Sequence, residues 1–216
     1  MPVFPIDGLK PRKTPRQARS AVTVDAIFEG VVQVLLSHGA SGLTTTLVAE
    51  RAGVSVGTMY QYFPHKHSLL FAVLKLHLEE VVDAVEDACI RFNGATLRDM
   101  SDALTHAYVE AKLRHLPGSR ALYGVAAELD SAALIDGVVQ RLHGAVEILL
   151  ASASDAIFED VTAVTFALRS LLIGTVRAVA ENDASPSALA MLRAQLPVMA
   201  RSYLLAVARG VPSREA

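Results

Sequence analysis

Residues 42–63, GLTTTLVAERAGVSVGTMYQYF, decide the fold that this sequence predicts. Thr44 is a suitable N-cap for a short helix that runs to about Arg51, and Ser55 is a suitable N-cap for a second helix that ends before Pro64. Between these helices, Ala52-Gly53 supplies the small residue and the positive backbone angle that a tight turn needs.

A longer helix is predicted before this stretch, with Thr23 as its N-cap and Gly39 at its end. Its apolar positions recur at helical spacing, at Ile27, Val31, Val34 and Leu35. Two short helices joined by a glycine-containing turn, after a supporting helix, form a helix-turn-helix, whose second helix fits the major groove of DNA.

Charge is distributed unevenly along the chain, although the net charge is only −2. Residues 1–66 carry +3 and residues 67–216 carry −5, so a polyanion is expected to meet the N-terminal third. Residues 1–22 contain prolines and five unopposed bases between Lys10 and Arg19, which predicts a flexible arm. A solvated tail and an arm that grasps DNA both remain open.

The segment Thr23–Leu74 closely resembles the DNA-binding domain of the TetR family of bacterial repressors. The resemblance rests on the order and spacing of the glycine after the first helix, the paired threonines, Val48-Ala49, Ala52-Gly53-Val54-Ser55, Gly57-Thr58-Met59-Tyr60, Tyr62-Phe63 and Lys66. The sequence departs from the family pattern at Thr46, where many members have a long polar residue, and at His67, where an acid is usual.

The resemblance implies a role for each matching residue of the helix-turn-helix. Contacts to phosphate or a base edge are implied for Thr45 and Thr46, an orientation toward the groove for Val56, Gly57 and Thr58, and a reach to a base for Gln61. Phosphate contacts are implied for Tyr60, Tyr62 and Lys66, and core positions for Val48, Val54, Met59 and Phe63.

The rest of the chain predicts helices and no strand, so the fold class is all-α, with a larger helical domain after the helix-turn-helix. Helices are expected near 66–91, 96–115, 119–129, 132–152, 158–181 and 186–208. The predicted organisation is a basic arm at 1–22, a DNA-binding domain at 23–66 and a ligand-binding and dimerisation domain at 67–216.

The last two predicted helices are strongly apolar and are expected to pack together. The last one presents a stripe at Leu189, Leu192, Leu196, Met199, Tyr203 and Val207. The family resemblance implies that both helices also pair with those of a second copy, and Gly174 and Ala178 permit close approach.

The resemblance also implies a ligand cavity in the larger domain. The polar or aromatic residues expected to face it are His106, Tyr108, Lys112, Tyr123, Phe166 and Arg169. The effector is predicted to be a small apolar or amphipathic molecule, whose identity the sequence does not indicate.

Two further patterns in the sequence are compatible with other chemistries. Gly53-Val54-Ser55-Val56-Gly57 matches the nucleophile elbow of hydrolases, but that motif needs a strand before it, where this sequence predicts a helix. His65 and His67 lack a carboxylate or cysteine at ligand spacing, so no metal site is predicted. Cys89 is the only cysteine and is interpreted as a buried thiol.

The sequence therefore predicts a non-enzymatic, cytoplasmic transcriptional regulator without a cofactor. It is interpreted as a ligand-responsive repressor that binds a palindromic operator in double-stranded DNA as a homodimer. The alternative is a helix-turn-helix activator or architectural DNA-binding protein without a small-molecule ligand. No membrane span is expected, because the longest charge-free run, Gly30–Ala49, contains His38 and three glycines.

Overall fold

The computed structural model describes residues 18–114, 129, 131–182 and 184–210. In this part of the chain the fold is all-α, as predicted. The helices are α1 (Ala18–Gly42), α2 (Thr45–Arg51), α3 (Val56–Tyr62), α4 (Lys66–Arg91), α5 (Leu97–Arg114), α6 (Ala132–Ala151), α7 (Val161–Glu181) and α8 (Pro186–Val207). All of the helix predicted at 119–129 except residue 129, and the greater part of the basic arm, lie outside the described residues.

The chain divides into two compact units. Unit 1 comprises residues 1–78 and 115–135, and unit 2 comprises residues 79–114 and 136–216, so the division falls inside α4. The domain boundaries at 22/23 and 66/67 remain predictions.

Helix α1 begins earlier than its sequence predicted. It starts at Ala18, so the expected N-cap Thr23 lies inside the helix. Ala18 and Arg19 are strong helix formers, and they extend the helix past the position where a cap was expected. The regular helix ends at Gly39 as predicted, because this residue adopts φ 69°. The last turn of α1, up to Gly42, follows this kink.

The core of unit 1 includes α1, which packs against α2, and α2 packs in turn against α3. Ile27, Val31 and Val34 are fully buried, and so are Val48 and Met59. Gly30 lies at the crossing: a Cβ atom there would stand 3.1 Å from the Val48 carbonyl oxygen and 3.3 Å from both Cβ and N of Ala52. This close approach sets the position of α2 and the turn that follows it.

In unit 2, α8 packs against both α5 and α7. Its buried residues recur every fourth position, at Leu192, Leu196, Ala200 and Leu204. Of the predicted stripe, Leu192 and Leu196 are buried within the chain, while Met199 and Val207 are 43% and 37% exposed, and its role toward a second copy stays a prediction. A helix that contacts two neighbours along one ridge buries the i, i+4 row instead of a row that alternates by three and four.

A hydrogen bond, an ion pair and a short strand pair link the elements of unit 2. Asp155 Oδ1 accepts a hydrogen bond of 2.7 Å from the Leu97 backbone N–H at the start of α5. Arg201 of α8 pairs with Asp102 of α5 at 2.7 Å. A two-residue strand β1 (Ala156–Ile157) pairs antiparallel with β2 (Arg209–Gly210). The sequence did not predict these strands, because two residues are too few to show alternation.

Two described helical segments, Val22–Gly42 and Val161–Ala180, are long and apolar enough to cross a membrane by length and composition. A core helix of a soluble protein can meet the same test. The second segment carries Arg169 and Arg177, which are costly in hydrocarbon. The absence of a membrane span remains a prediction.

Candidate functional site

The turn between α2 and α3 has the geometry that the sequence predicted. Gly53 adopts φ 66°, and its N–H donates to the Glu50 carbonyl at 3.2 Å. The Val54 N–H donates to the Ala49 carbonyl at 3.0 Å, which completes a Schellman motif at the end of α2. Because two backbone hydrogen bonds close this turn, the angle between α2 and α3 is fixed by local chemistry.

Both predicted N-caps are confirmed. Thr44 Oγ1 accepts from the Leu47 N–H at 3.2 Å, and Ser55 Oγ accepts from the Thr58 N–H at 3.0 Å. Ser55 Oγ also lies 2.8 Å from Thr58 Oγ1. The Thr58 hydroxyl is therefore already hydrogen-bonded within the chain, and Ser55 serves the helix as a cap. Helix α2 and its turn lead into Ser55, so the strand that a nucleophile elbow needs is not there.

Thr45 is buried, at 9% exposure, and does not lie on the surface as its predicted contact would suggest. Its Oγ1 shares a hydrogen bond of 3.1 Å with the hydroxyl of Tyr60, which is 45% exposed. This bond ties α2 to α3 and restricts the Tyr60 ring. Thr45 would therefore influence a DNA contact only through Tyr60.

Most of α3 is accessible. Val56, Gly57 and Gln61 are exposed, as is Thr46 on α2, whereas Met59 is fully buried. A Cβ at Gly57 would meet only Ser55 Oγ, at 3.7 Å, so neither crowding nor backbone angle requires a glycine there. The predicted core positions Val48, Met59 and Phe63 are confirmed as buried, while Val54 is half-buried.

The start of α4 holds a capping arrangement that sequence reasoning missed. His65 Nδ1 accepts from the Ser68 N–H at 3.1 Å, and Ser68 Oγ donates to the His65 carbonyl at 2.7 Å. Lys66, the first residue of α4, is half-buried beside it. The sequence signal for this cap is the spacing of three between His65 and Ser68, which is that of a capping box, although histidine is an unusual residue at the capping position. Among the described residues no cluster of three or more metal-ligating side chains occurs.

A small cavity of about 20 Å³ lies inside unit 2, between α4, α5, α6 and α7. Seven of its described lining residues are aliphatic, and the other two are Tyr108 and Arg169. This volume holds about one water molecule. Of the six predicted ligand-facing residues, the structure thus brings Tyr108 and Arg169 to one cavity.

The other four predicted ligand-facing residues are not among the described lining. His106 is exposed, and Phe166 is 57% exposed with its ring centroid 5.6 Å from Arg169 Cζ. Lys112 Nζ lies 6.0 Å from the Tyr108 ring centroid, and burial lowers the pKa of Lys112 to about 8. Tyr123 lies outside the described residues.

The predicted buried thiol is confirmed at Cys89. Its side chain is 5% exposed, and burial together with the neighbouring Glu86 charge raises the pKa of the thiol to about 12. A thiol with this pKa stays protonated at neutral pH and is a poor nucleophile.

Helices α7 and α8 each expose one apolar or small-residue face, which we call the α7–α8 face. On α7 it contains Phe166, Ser170, Gly174 and Ala178, and on α8 it contains Met191, Ala194, Val198, Ser202 and Leu205. Met191 and Leu205 are 60% and 57% exposed. The sequence predicted Gly174 and Ala178 for close approach but did not identify the α8 part, because the buried and exposed apolar rows overlap in its pattern.

Two family models match the chain. Residues 27–73 match the model for bacterial regulatory proteins of the tetR family, and residues 96–204, half of the chain, match the tetracyclin repressor-like C-terminal domain. The HTH-type transcriptional regulator PksA of Bacillus subtilis is 34% identical over 65 residues, which cover 30% of this chain and 32% of PksA. The chain thus matches about a third of the length of that relative.

Solved structures with the same fold cover most of the chain. A TetR-family transcriptional regulator from Mesorhizobium loti superposes with a TM-score of 0.73 at 18% identity, over 90% of this chain and 100% of the other. A bacterial regulatory protein in the tetR family from Rhodococcus RHA1 gives a TM-score of 0.67 at 19% identity, over 86% and 96%. At these identities the likeness concerns the fold.

Proposed function

The chain belongs to the tetR family of bacterial regulatory proteins, whose members are DNA-binding transcriptional regulators, and on that premise we propose that it is a ligand-responsive repressor that binds a palindromic operator as a homodimer. The observation that carries the proposal is the α2–turn–α3 unit, whose Schellman turn and two N-caps hold an accessible α3 at a fixed angle. Because the family consists of regulators, we expect no enzymatic activity.

In this proposal α3 enters the major groove, and its exposed side chains approach base edges. Gln61 is suited to a bidentate contact with adenine, and Val56 to the thymine methyl group. The open space around Gly57 lets the DNA approach the helix closely. Tyr60, held by Thr45, would contact phosphate together with Tyr62 and Lys66, and Lys66 would add the positive end of α4.

The homodimer would form through the α7–α8 face. This face exposes large apolar side chains on α8, and small residues such as Gly174 on α7 that allow helices to approach closely. An exposed apolar stripe along a helix favours association with a partner surface. We expect a two-fold arrangement that presents two α3 helices to two half-sites. Within each chain we expect the arm, the DNA-binding domain and the larger domain to be divided at 22/23 and 66/67.

The effector site would be the cavity of unit 2. At about 20 Å³ the cavity must enlarge to accept a ligand, so occupancy favours a different arrangement of the surrounding helices. A ligand that binds this arrangement more tightly shifts the population away from the DNA-binding form. The protein would act in the bacterial cytoplasm, where its operator lies.

Fluorescence anisotropy with duplexes from the region upstream of its own gene tests the proposal. Wild-type protein should bind a specific duplex more tightly than a shuffled one of equal length, and Gln61→Ala should reduce that preference. Gln140→Ala, on the exposed face of α6, is the matched control and should retain it. Equal affinity of the wild type for both duplexes would argue against an operator-binding regulator.

A further inference from the structure

Arg169 combines a charge with incomplete hydrogen bonding inside an apolar site. It lies on α7 and lines the cavity of unit 2. Its Nε atom is buried and has no hydrogen-bond partner in the described part of the chain. A buried donor without an acceptor is costly, and the cost is larger when the group is charged. The side chain as a whole is half-buried, and the buried Nε–H therefore favours an acceptor on the cavity side, best one that carries negative charge.

The described cavity wall offers Arg169 no such acceptor. Apart from Tyr108, the other described lining residues are aliphatic, among them Leu104, Leu142 and Leu168. The acids that form ion pairs in unit 2 have other partners, for example Glu86 with Arg141 and Asp102 with Arg201. An occupant of the cavity could therefore supply the acceptor that the Arg169 Nε–H lacks.

We propose that the cavity takes an amphiphile with a single carboxylate, whose head group pairs with Arg169 and whose aliphatic part lies against the leucines. This inference rests on the proposed function, which makes the cavity an effector site. A planar guanidinium matches the two oxygens of a carboxylate, and such charge-assisted, bidentate hydrogen bonds are stronger than those of a neutral acceptor. The apolar wall selects for a hydrocarbon chain, and the Arg169 charge selects against an amine at the same end.

The position of Arg169 also links the carboxylate to the α7–α8 face. Its Cζ lies 5.6 Å from the centroid of the Phe166 ring, one turn earlier on α7, and Phe166 is 57% exposed on that face. A guanidinium drawn to a ligand in the cavity gives up or changes this cation–π contact. The same side chain thus contacts both the effector site and the proposed dimer surface.

The experiment compares straight-chain carboxylates of six to twelve carbons with alcohols and amines of the same lengths, by calorimetry and by the midpoint of thermal unfolding. At least one carboxylate should bind about 10- to 100-fold more tightly than the alcohol of its length, and should raise the midpoint more. Equal binding of the carboxylate and its alcohol, or no carboxylate binding at any length, would overturn the proposal.

Variants locate the head group. Arg169→Gln should abolish the preference for carboxylate over alcohol, Arg169→Lys should keep part of it, and Arg177→Gln, exposed on the same helix, should keep all of it. Arg169→Met should unfold at the same or a higher temperature than wild type without ligand, because it removes a buried Nε–H donor that lacks an acceptor. A preference that survives in both Arg169→Gln and Arg169→Met contradicts the assignment.

The two proposals fail in different ways. DNA anisotropy is measured with and without the carboxylate that binds most tightly. If the carboxylate binds through Arg169 but does not release DNA, the ligand class stands and the repressor mechanism fails. If operator DNA binds but no carboxylate does, the ligand class fails and DNA-binding regulation stands.

Discussion

Gly30→Ala tests the packing that positions the recognition helix. The added Cβ would lie 3.1 Å from the Val48 carbonyl oxygen and 3.3 Å from Cβ and N of Ala52, closer than ordinary van der Waals contact. The atoms that must yield belong to α2 and the turn before α3. Overpacking of this kind costs about 1–3 kcal/mol, whereas alanine gains about 0.8–1.0 kcal/mol over glycine inside a helix. We expect a net loss of up to about 2 kcal/mol.

Gly144→Ala is the matched control, because a Cβ there meets no heavy atom within 4 Å. It should gain about 0.5–1 kcal/mol, which separates the two variants by about 1–3 kcal/mol. Urea denaturation at one protein concentration measures the free energies of unfolding, and hydrogen exchange assigns each change to α1 or α6. Folded Gly30→Ala should also bind DNA more weakly, because α2 moves. Equal stabilisation by both substitutions would refute the close approach of α1 and α2.

Lys66→Ala should weaken binding to operator and unrelated DNA alike and flatten log K against log salt by about 0.9 per phosphate contact. Gln61→Ala should leave the slope unchanged and cost about 1–3 kcal/mol of preference for operator, whereas Thr58→Ala should cost less, because its hydroxyl is already bonded to Ser55. Titrations at several salt concentrations check both, and a Lys66 effect on operator alone would contradict the phosphate role. Leu205→Lys should give monomers in light scattering at micromolar concentration, because it places a charge on the α7–α8 face. The control Ile148→Lys should remain a dimer, since Ile148 is 66% exposed on α6. An intact Leu205→Lys dimer would put the interface elsewhere. Burial lowers the pKa of Lys112 to about 8 from 10.5, so its charge should destabilise the fold below pH 8 and cease to do so as pH rises to 10.5. Urea midpoints at pH 7, 9 and 10 should rise for the wild type but not for Lys112→Met. An equal rise in both proteins would argue against a buried charge at Lys112.

Local chemistry is the part of the fold that could be predicted from the sequence. Thr44, Ser55 and Gly53 act within a few residues of their own backbone, and their caps and turn are found as predicted. The ends of the described helices from α4 onward lie within three residues of the predicted ends, because apolar periodicity and turn residues mark them.

Features that depend on contacts across the chain could not be predicted. The Thr45–Tyr60 hydrogen bond and the tight fit of Gly30 against Ala52 arise only when α1, α2 and α3 meet. Likewise, His106, Lys112 and Phe166 do not line the described cavity, because residue type does not tell which side of a helix a neighbour covers. Arg169 stands out in the sequence as a charge in an apolar helix, but the burial of its Nε without a partner depends on the folded chain.

Selection from a pool of random-sequence duplexes tests the central claim most directly. Purified full-length protein is bound to the pool, and the retained duplexes are amplified and sequenced over several rounds. A dimeric helix-turn-helix regulator predicts enrichment of an inverted repeat, with half-sites about one helical turn apart or a multiple of that distance. Retained duplexes without a shared sequence, or with a single unrepeated half-site, would contradict the claim.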